Sequence, residues 1–198
     1  MPTSAVLPRI LGALFYYSPG RPEVKALFDS LPTLSELYPW RDPAQMVRLC
    51  ADWPLPDADD LAWQFSVLFE GQGEMPAPPW GSVWLERDNL LMGDTTSEYR
   101  AFLQSQGMAF DSHQSEPDDQ FGLMLLASSA LLEAGKDAAV NQLFEAHLLP
   151  WGYRYLERVQ DSAVSPFYAR LAAVTACYLQ DMEQQRALQP AVKRLYFG

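Results

Sequence analysis

A proline- and tryptophan-rich stretch in the middle of the chain, Met75–Asp94, constrains the fold more than any other part of the sequence. Three prolines between positions 76 and 79 fix backbone angles and remove amide donors, so no helix can pass through them. A loop of this length is typically functional or disordered, and its aromatic content argues against disorder. Two interpretations stay open: an ordered loop that presents Trp80 and Trp84 at the surface, or a connector whose tryptophans plug the core.

The apolar residues elsewhere recur at helical spacing, as Val6, Ile10 and Leu14 do near the start. We predict ten helices, over 4–17, 23–31, 33–38, 43–50, 57–70, 97–106, 117–134, 137–147, 151–160 and 166–185. Thr95 or Thr96 is expected to cap the helix over 97–106, and Pro117 to occupy the first position of the helix over 117–134. A corner is expected at 149–151. No hairpin pattern, fixed repeat or low-complexity segment interrupts them. The sequence therefore predicts an all-α fold of about ten helices in a single domain, residues 1–198.

Charge and composition narrow the classes of partner. The net charge is -11, and only 14 lysines and arginines are scattered along the chain, which disfavours nucleic acid and anionic membranes. No apolar run approaches the ~20 residues that cross a bilayer, and no signal peptide is evident. Cys50 and Cys177 lie in apolar helical patterns, as expected of buried thiols in a cytosolic protein. The acidity suits a basic and apolar partner, or it serves solubility alone.

Motifs for catalysis, metals or cofactors are missing from the sequence. It contains no phosphate-binding glycine loop, no Gly-x-Ser-x-Gly elbow and no zinc-ligand spacing. We expect His147 to be a packed or hydrogen-bonded histidine and His113 to be solvated. We therefore predict no enzyme activity, no cofactor and no metal.

A cluster of carboxylates at positions 116–119 leaves alternatives open. Glu116 and Asp119 fit the start of a helix, where acidic residues complement the exposed amides and the helix dipole. The same carboxylates can hold a guanidinium through charge-assisted hydrogen bonds. The alternative functions are general acid–base catalysis by Glu116, Asp118 and Asp119, or the binding of a small ligand or nucleotide by Glu116 and Asp119.

Four segments, in order along the chain, resemble those of one protein family. They are Leu11–Tyr17, the run Pro-Pro-Trp-Gly-Ser-Val-Trp-Leu at 78–85 with Gly-Asp at 93–94, the acidic run Glu-Pro-Asp-Asp-Gln-Phe-Gly at 116–122, and His-Leu-Leu-Pro-Trp at 147–151. Together they resemble the TorD/DmsD family of redox enzyme maturation chaperones, whose acidic motif is Glu-Pro-x-Asp-His. The resemblance implies an all-helical TorD-like fold and no catalysis.

The resemblance also implies a partner. It is the twin-arginine signal peptide of a molybdopterin-containing reductase subunit, of the dimethyl sulfoxide reductase type, whose export the cytoplasmic chaperone delays until cofactor insertion. The twin-arginine translocase would be a second partner, the chaperone would be mainly monomeric, and weak guanine-nucleotide binding is known for some relatives. Such a leader peptide has a basic end and an apolar middle, which fits an acidic surface with aromatic side chains.

The resemblance assigns a set of leader-binding residues, with indoles and Leu68 and Phe69 meeting the apolar middle and carboxylates meeting the arginines. One departure concerns Gln120, which stands where the family usually has histidine and cannot become charged. The assigned residues are Tyr16, Phe65, Leu68, Phe69, Pro79, Trp80, Trp84, Gly93, Glu116, Pro117, Asp119 and Gln120.

Overall fold

The computed structural model describes residues 3–89, 91–108 and 117–198, and these residues form helices joined by short connections. No strand ladder occurs among them, so the predicted all-α fold is confirmed. A 3-10 helix, Leu31–Glu36, and a π-helix, Leu143–Leu148, supplement ten α-helices. The α-helices are α1 Thr3–Tyr16, α2 Pro22–Phe28, α3 Pro43–Ala51, α4 Ala58–Phe69, α5 Gly81–Leu85, α6 Asp94–Ser105, α7 Phe121–Glu133, α8 Asp137–Gln142, α9 Leu149–Asp161 and α10 Pro166–Gln185.

Side-chain caps and prolines set several helix starts where the sequence places them. Asp57 precedes α4 and accepts hydrogen bonds from the amides of Asp59 and Asp60, at 3.1 and 3.0 Å. Ser165 precedes α10 and accepts from the Tyr168 amide at 3.2 Å, with Pro166 in the first helical position. Each cap satisfies amides that the first turn of a helix leaves unpaired.

Two glycines allow α1 and α7 to cross in very close contact. A Cβ atom added to Gly12 would lie 2.7 Å from the carbonyl oxygen of Gly122, and one added to Gly122 would lie 2.7 Å from that of Gly12. Ser129 supports the crossing, because its hydroxyl donates to the Ala5 carbonyl at 2.7 Å. The small residues Gly122 and Ser129 of α7 thus lie directly against α1.

The core around this crossing is largely aromatic. The Phe15 ring, at the end of α1, makes edge contacts with Phe69 of α4 and Phe121 of α7 at centroid distances of 5.8 and 5.2 Å. Cys50 is buried and Cys177 half-buried, and both are free thiols. Within the ranges described, no helix is long and apolar enough to cross a membrane.

The structure corrects four local predictions. The loop after α4 contains a short helix, α5, and α6 begins one residue after its N-cap Gly93 rather than after a threonine cap. Helix α7 begins at Phe121, not at Pro117, because the backbone at 119–121 pairs with another loop. No corner interrupts 149–151: α8, the π-helix and α9 follow one another directly, with Pro150 in the first turn of α9.

Replacing Gly12 with alanine tests the α1–α7 contact. Its Cβ would meet backbone atoms, which cannot rotate away, so we expect Gly12→Ala to destabilise the fold by about 1–3 kcal/mol. Gly20→Ala is the control, because a Cβ there lies 3.9 Å from its nearest neighbour, the Ser18 hydroxyl. Urea unfolding followed by circular dichroism measures both. Equal stability of the two variants would contradict the close crossing.

Candidate functional site

The candidate site lies where the segments 79–82 and 117–121 cross, at the starts of α5 and α7. Trp80 and Gln120 pair as an isolated antiparallel bridge. The Phe121 amide donates to the Pro79 carbonyl at 2.7 Å, and the Gly81 amide donates to the Asp119 carbonyl at 3.1 Å. The structure thus brings together the tryptophan loop and the acidic motif, the two stretches that the sequence singled out.

The Asp119 carboxylate fastens the crossing. Its Oδ2 accepts from the Ser82 amide at 2.6 Å, in the first turn of α5, and the residue is only 2% exposed. Burial raises the pKa of Asp119 above its usual 3.8, while the hydrogen bond from the Ser82 amide lowers it in part. The adjacent Asp118 forms an ion pair with Arg100 of α6 at 2.5 Å. In this conformation Asp119 therefore holds the loop instead of facing solvent.

A small cavity adjoins Asp119. Its volume is about 10 Å³, and its lining includes Tyr99, Asp119, His147 and Lys193. The Oδ1 of Asp119, the Tyr99 hydroxyl and the hydroxyls of Ser82 and Thr96 are buried without a hydrogen-bond partner among the described residues. The cavity has room for about one water molecule. A nucleotide does not fit it, so the geometry gives no support to the alternative ligand function at Asp119.

Gln120 joins α1 to α7 through both ends of its side-chain amide. Its Oε1 accepts from the Leu123 amide at 3.0 Å and caps α7, while its Nε2 donates to the Phe15 carbonyl at 3.1 Å, near the end of α1. The residue is 2% exposed. A neutral group with one acceptor and one donor is what these two bonds require, so the departure from histidine preserves the helix start.

Trp84 lies in the core, which corrects the interpretation that it faces outward. It is 0% exposed, and its indole N–H donates to the Pro78 carbonyl at 2.8 Å. Its ring stacks on that of Trp151 at a centroid distance of 6.3 Å. Trp84 therefore fills the core, as the second of the two interpretations predicts, whereas Trp80 is half-buried at the edge of the crossing.

Phe65, Leu68 and Phe69 are also buried, at 3%, 1% and 4% exposure. They form the apolar face of α4, which packs on Tyr168 and Phe15 and leaves little for a ligand to contact. The exposed aromatic residue of α4 is Trp63, at 61%. Sequence reasoning missed it, although its position outside the 61, 65, 68, 69 series marks it as facing outward.

The remaining predicted residues divide between support and surface. Pro79 and Pro117 are buried, and Tyr16 is half-buried against Gly122. Gly93 leaves space for the side chain of Glu86, whose Oε1 accepts from the amide and hydroxyl of Thr95 at 2.8 Å each. The predicted Glu116 and His113 lie outside the described residues.

The segment 189–198 also reaches the site, and the sequence analysis did not anticipate it. Its Tyr196 amide donates to the Trp84 carbonyl at 2.8 Å, and its Phe197 ring lies 4.9 Å from the Trp84 ring. The apolar run Leu-Tyr-Phe at 195–197 was the signal in the sequence that this segment packs on the core, because the burial of such side chains is favourable.

His147 is a packed histidine, as predicted. Its ring lies 5.2 Å from the rings of both Tyr99 and Phe102. Burial, and secondarily the charge of Lys193, lowers the pKa of His147 from 6.5 to about 4. Across the part of the chain that the structure covers, no group of acidic, histidine or cysteine side chains is arranged to hold a metal ion.

Comparison with known proteins gives a consistent family assignment. Residues 30–157 match the family model described as nitrate reductase delta subunit. The chain is 36% identical to the Tat proofreading chaperone DmsD of Salmonella typhi, over 97% of this chain and 95% of that protein. It is 30% identical to the chaperone protein YcdY of Escherichia coli K12, over 86% and 89%. These relatives are named chaperones, which agrees with the predicted lack of enzyme activity.

A solved structure shares the fold. It is that of a protein described as a redox enzyme maturation protein from Archaeoglobus fulgidus, with a TM-score of 0.59. The similarity covers 89% of this chain and 93% of that one. At 17% identity, the likeness concerns the fold alone.

The lowered pKa of His147 predicts loss of stability in acid. Between pH 6.5 and about 4 the unfolded chain binds the proton while the folded chain does not, so the free energy of unfolding should fall as pH falls through this range. His147→Gln removes the titrating group, and we expect a smaller loss in that variant. Urea titrations across the range measure both proteins, and parallel losses would contradict the assignment.

The raised pKa of Asp119 predicts the opposite pH dependence, with this carboxyl lowering the stability of the fold as pH rises. Because its pKa is raised by burial, the unfolded chain releases the proton first as pH rises above 3.8, and this carboxyl then opposes folding. We expect the stability of Asp119→Asn, relative to the unsubstituted protein, to increase from pH 3.8 towards neutrality. The same titrations test it: a constant difference between the two proteins would show that the carboxyl keeps its ordinary pKa.

Proposed function

This chain belongs to the TorD/DmsD family of redox enzyme maturation chaperones, and we propose that it binds the twin-arginine signal peptide of a molybdopterin-containing reductase subunit. The reductase is of the dimethyl sulfoxide reductase type. Binding in the cytoplasm delays export until the cofactor is inserted and the subunit assembled. The precursor then passes to the twin-arginine translocase. The chaperone acts mainly as a monomer and has no catalytic step.

The single observation that carries this proposal is the crossing of the tryptophan loop with the acidic motif. It is a rigid base, because backbone and side-chain hydrogen bonds both hold it. Trp80 lies half-buried at its edge. Farther along the same connection, Leu91 and Met92 are 49% and 52% exposed. The apolar middle of a leader would bury these side chains, at ~25 cal/mol per Å² before ordering costs.

The predicted leader-binding residues take two roles in this proposal. Those with accessible surface, Tyr16, Trp80 and Gly93, contact the leader directly. The buried ones shape and support that surface: Phe65, Leu68, Phe69, Pro79, Trp84, Pro117, Asp119 and Gln120. Glu116 keeps its proposed role as an arginine partner.

The arginines of the leader meet carboxylates near the loop. Asp88, Asp94 and Glu98 are exposed, on the loop and the first turns of α6. Each can accept charge-assisted hydrogen bonds from a guanidinium, whose planar fork suits a carboxylate better than an ammonium does. The net charge of -11 adds a long-range attraction that speeds the encounter.

Moderate affinity follows from the disorder of a free leader. A segment that orders on binding spends part of its interaction free energy on the loss of conformational freedom. Release is correspondingly easy, which suits a chaperone that passes its client on.

Calorimetric titration with a synthetic leader of a dimethyl sulfoxide reductase catalytic subunit tests the function. We expect saturable one-to-one binding, weakened when both arginines become lysine and weakened when the apolar middle is made polar. Trp80→Ala should weaken binding roughly 10-fold or more, because tryptophan is enriched among interface residues whose truncation costs about 2 kcal/mol, and 1.4 kcal/mol is about tenfold.

Val47→Ala is the matched control, since Val47 is 57% exposed on α3, a helix from which no leader contact is proposed. It should bind as the unsubstituted protein does. Absence of binding to this and to related reductase leaders would overturn the proposed function. Retained binding by Trp80→Ala would overturn only the location of the site.

A further inference from the structure

The segment 189–198 turns back from the end of α10 towards the candidate site. Ala187 adopts a left-handed conformation, with φ 51°, and the Leu188 amide donates to the Glu183 carbonyl at 2.9 Å. Glu145, in the π-helix, then holds the segment with two hydrogen bonds. Its side-chain Oε1 accepts a hydrogen bond from the Gln189 amide at 2.7 Å, and its backbone carbonyl accepts one from the Ala191 amide at 2.8 Å. The chain is thereby directed along the π-helix and over the tryptophan loop.

At the site, the segment contacts Trp84 and lines a cavity with Asp119, two of the residues that the resemblance assigns to leader binding. The Tyr196 amide bonds to the Trp84 carbonyl, and the Phe197 ring packs at 65° to the Trp84 ring. Lys193 lines the same cavity as Asp119 and His147. The segment thus packs on the buried Trp84 and contributes a basic residue to the lining of the Asp119 cavity.

The order of side chains in the segment matches the chemistry of a leader. Two basic residues, Lys193 and Arg194, precede three apolar or aromatic ones, Leu195, Tyr196 and Phe197. A twin-arginine leader likewise has a basic end followed by an apolar part. In the structure Lys193 lines the cavity that Asp119 and His147 also line, and the Phe197 ring packs on the Trp84 indole.

We propose that the segment 189–198 is an intramolecular occupant of the leader site, which the leader must displace. This inference rests on the proposed function and adds its regulation. Displacement frees a face of Trp84 and opens the cavity towards Asp119, so that a leader arginine takes the place of Lys193 in the lining of this cavity. The buried tryptophan and the buried aspartate then become direct contacts only in the loaded chaperone.

The contacts of the segment are suited to reversible displacement. It has no regular secondary structure, Val192 is fully exposed and Tyr196 is 39% exposed. Elements with few buried contacts open at lower free energy than core helices do. The leader binds only the fraction of molecules in which the site is open, so occupancy by the segment reduces the apparent affinity by that fraction.

Phe197→Ala tests the competition, because it removes the ring that packs on Trp84. If the segment covers the site about nine-tenths of the time, this variant should bind the leader roughly 10-fold more tightly. Val192→Ala, in the same segment but fully exposed, should bind as the unsubstituted protein does. Titration calorimetry measures all three. Unchanged or weaker binding by Phe197→Ala overturns the inference.

Hydrogen exchange on the unsubstituted chain gives a second test that does not depend on a variant. The Tyr196 amide is protected by its bond to the Trp84 carbonyl. Saturating leader should speed its exchange, and unchanged or slower exchange overturns the inference. Equal leader binding by the unsubstituted protein and Phe197→Ala would overturn this inference alone. If neither protein bound the leader, the proposed function would be overturned as well.

Discussion

One buried carboxylate and two backbone hydrogen bonds hold this site in place. Asp119 accepts from the Ser82 amide, and the segments around them exchange bonds through Pro79 and Phe121. Helix α5 starts at this crossing, and Gly81 rests on the Trp151 indole so closely that a Cβ would lie 2.9 Å from its nitrogen. Through Gln120 the crossing also joins α1 to α7. Four helices therefore depend on it for their relative positions.

The same crossing is the part of the described structure in which polar groups are least satisfied. Four of the seven buried side-chain atoms without a hydrogen-bond partner among the described residues belong to Ser82, Thr96, Tyr99 and Asp119. Unsatisfied buried polar groups cost free energy, and proteins concentrate such costs where function repays them. A guanidinium that reached these four side chains could donate hydrogen bonds to several acceptor oxygens.

The sequence predicts the helices better than it predicts long-range pairing or the exposure of side chains. Caps such as Asp57 and Ser165 act locally, so their patterns suffice. Pro117 also fits a local rule for helix starts, but the pairing of the adjacent backbone with Pro79 prevailed, and a contact so distant in sequence leaves no local signal. Trp84 is as compatible with a surface as with a core until Trp151 and the segment 189–198 are placed around it.

The glycine contact between α1 and α7 has a consequence for the order of synthesis. Helix α1 leaves the ribosome about a hundred residues before α7 exists. Because synthesis proceeds at about 5–20 residues per second, the apolar face of α1 lacks its packing partner for roughly 5–20 s. A chaperone of other proteins thus passes through an interval in which its own first helix resembles an unpaired amphipathic client.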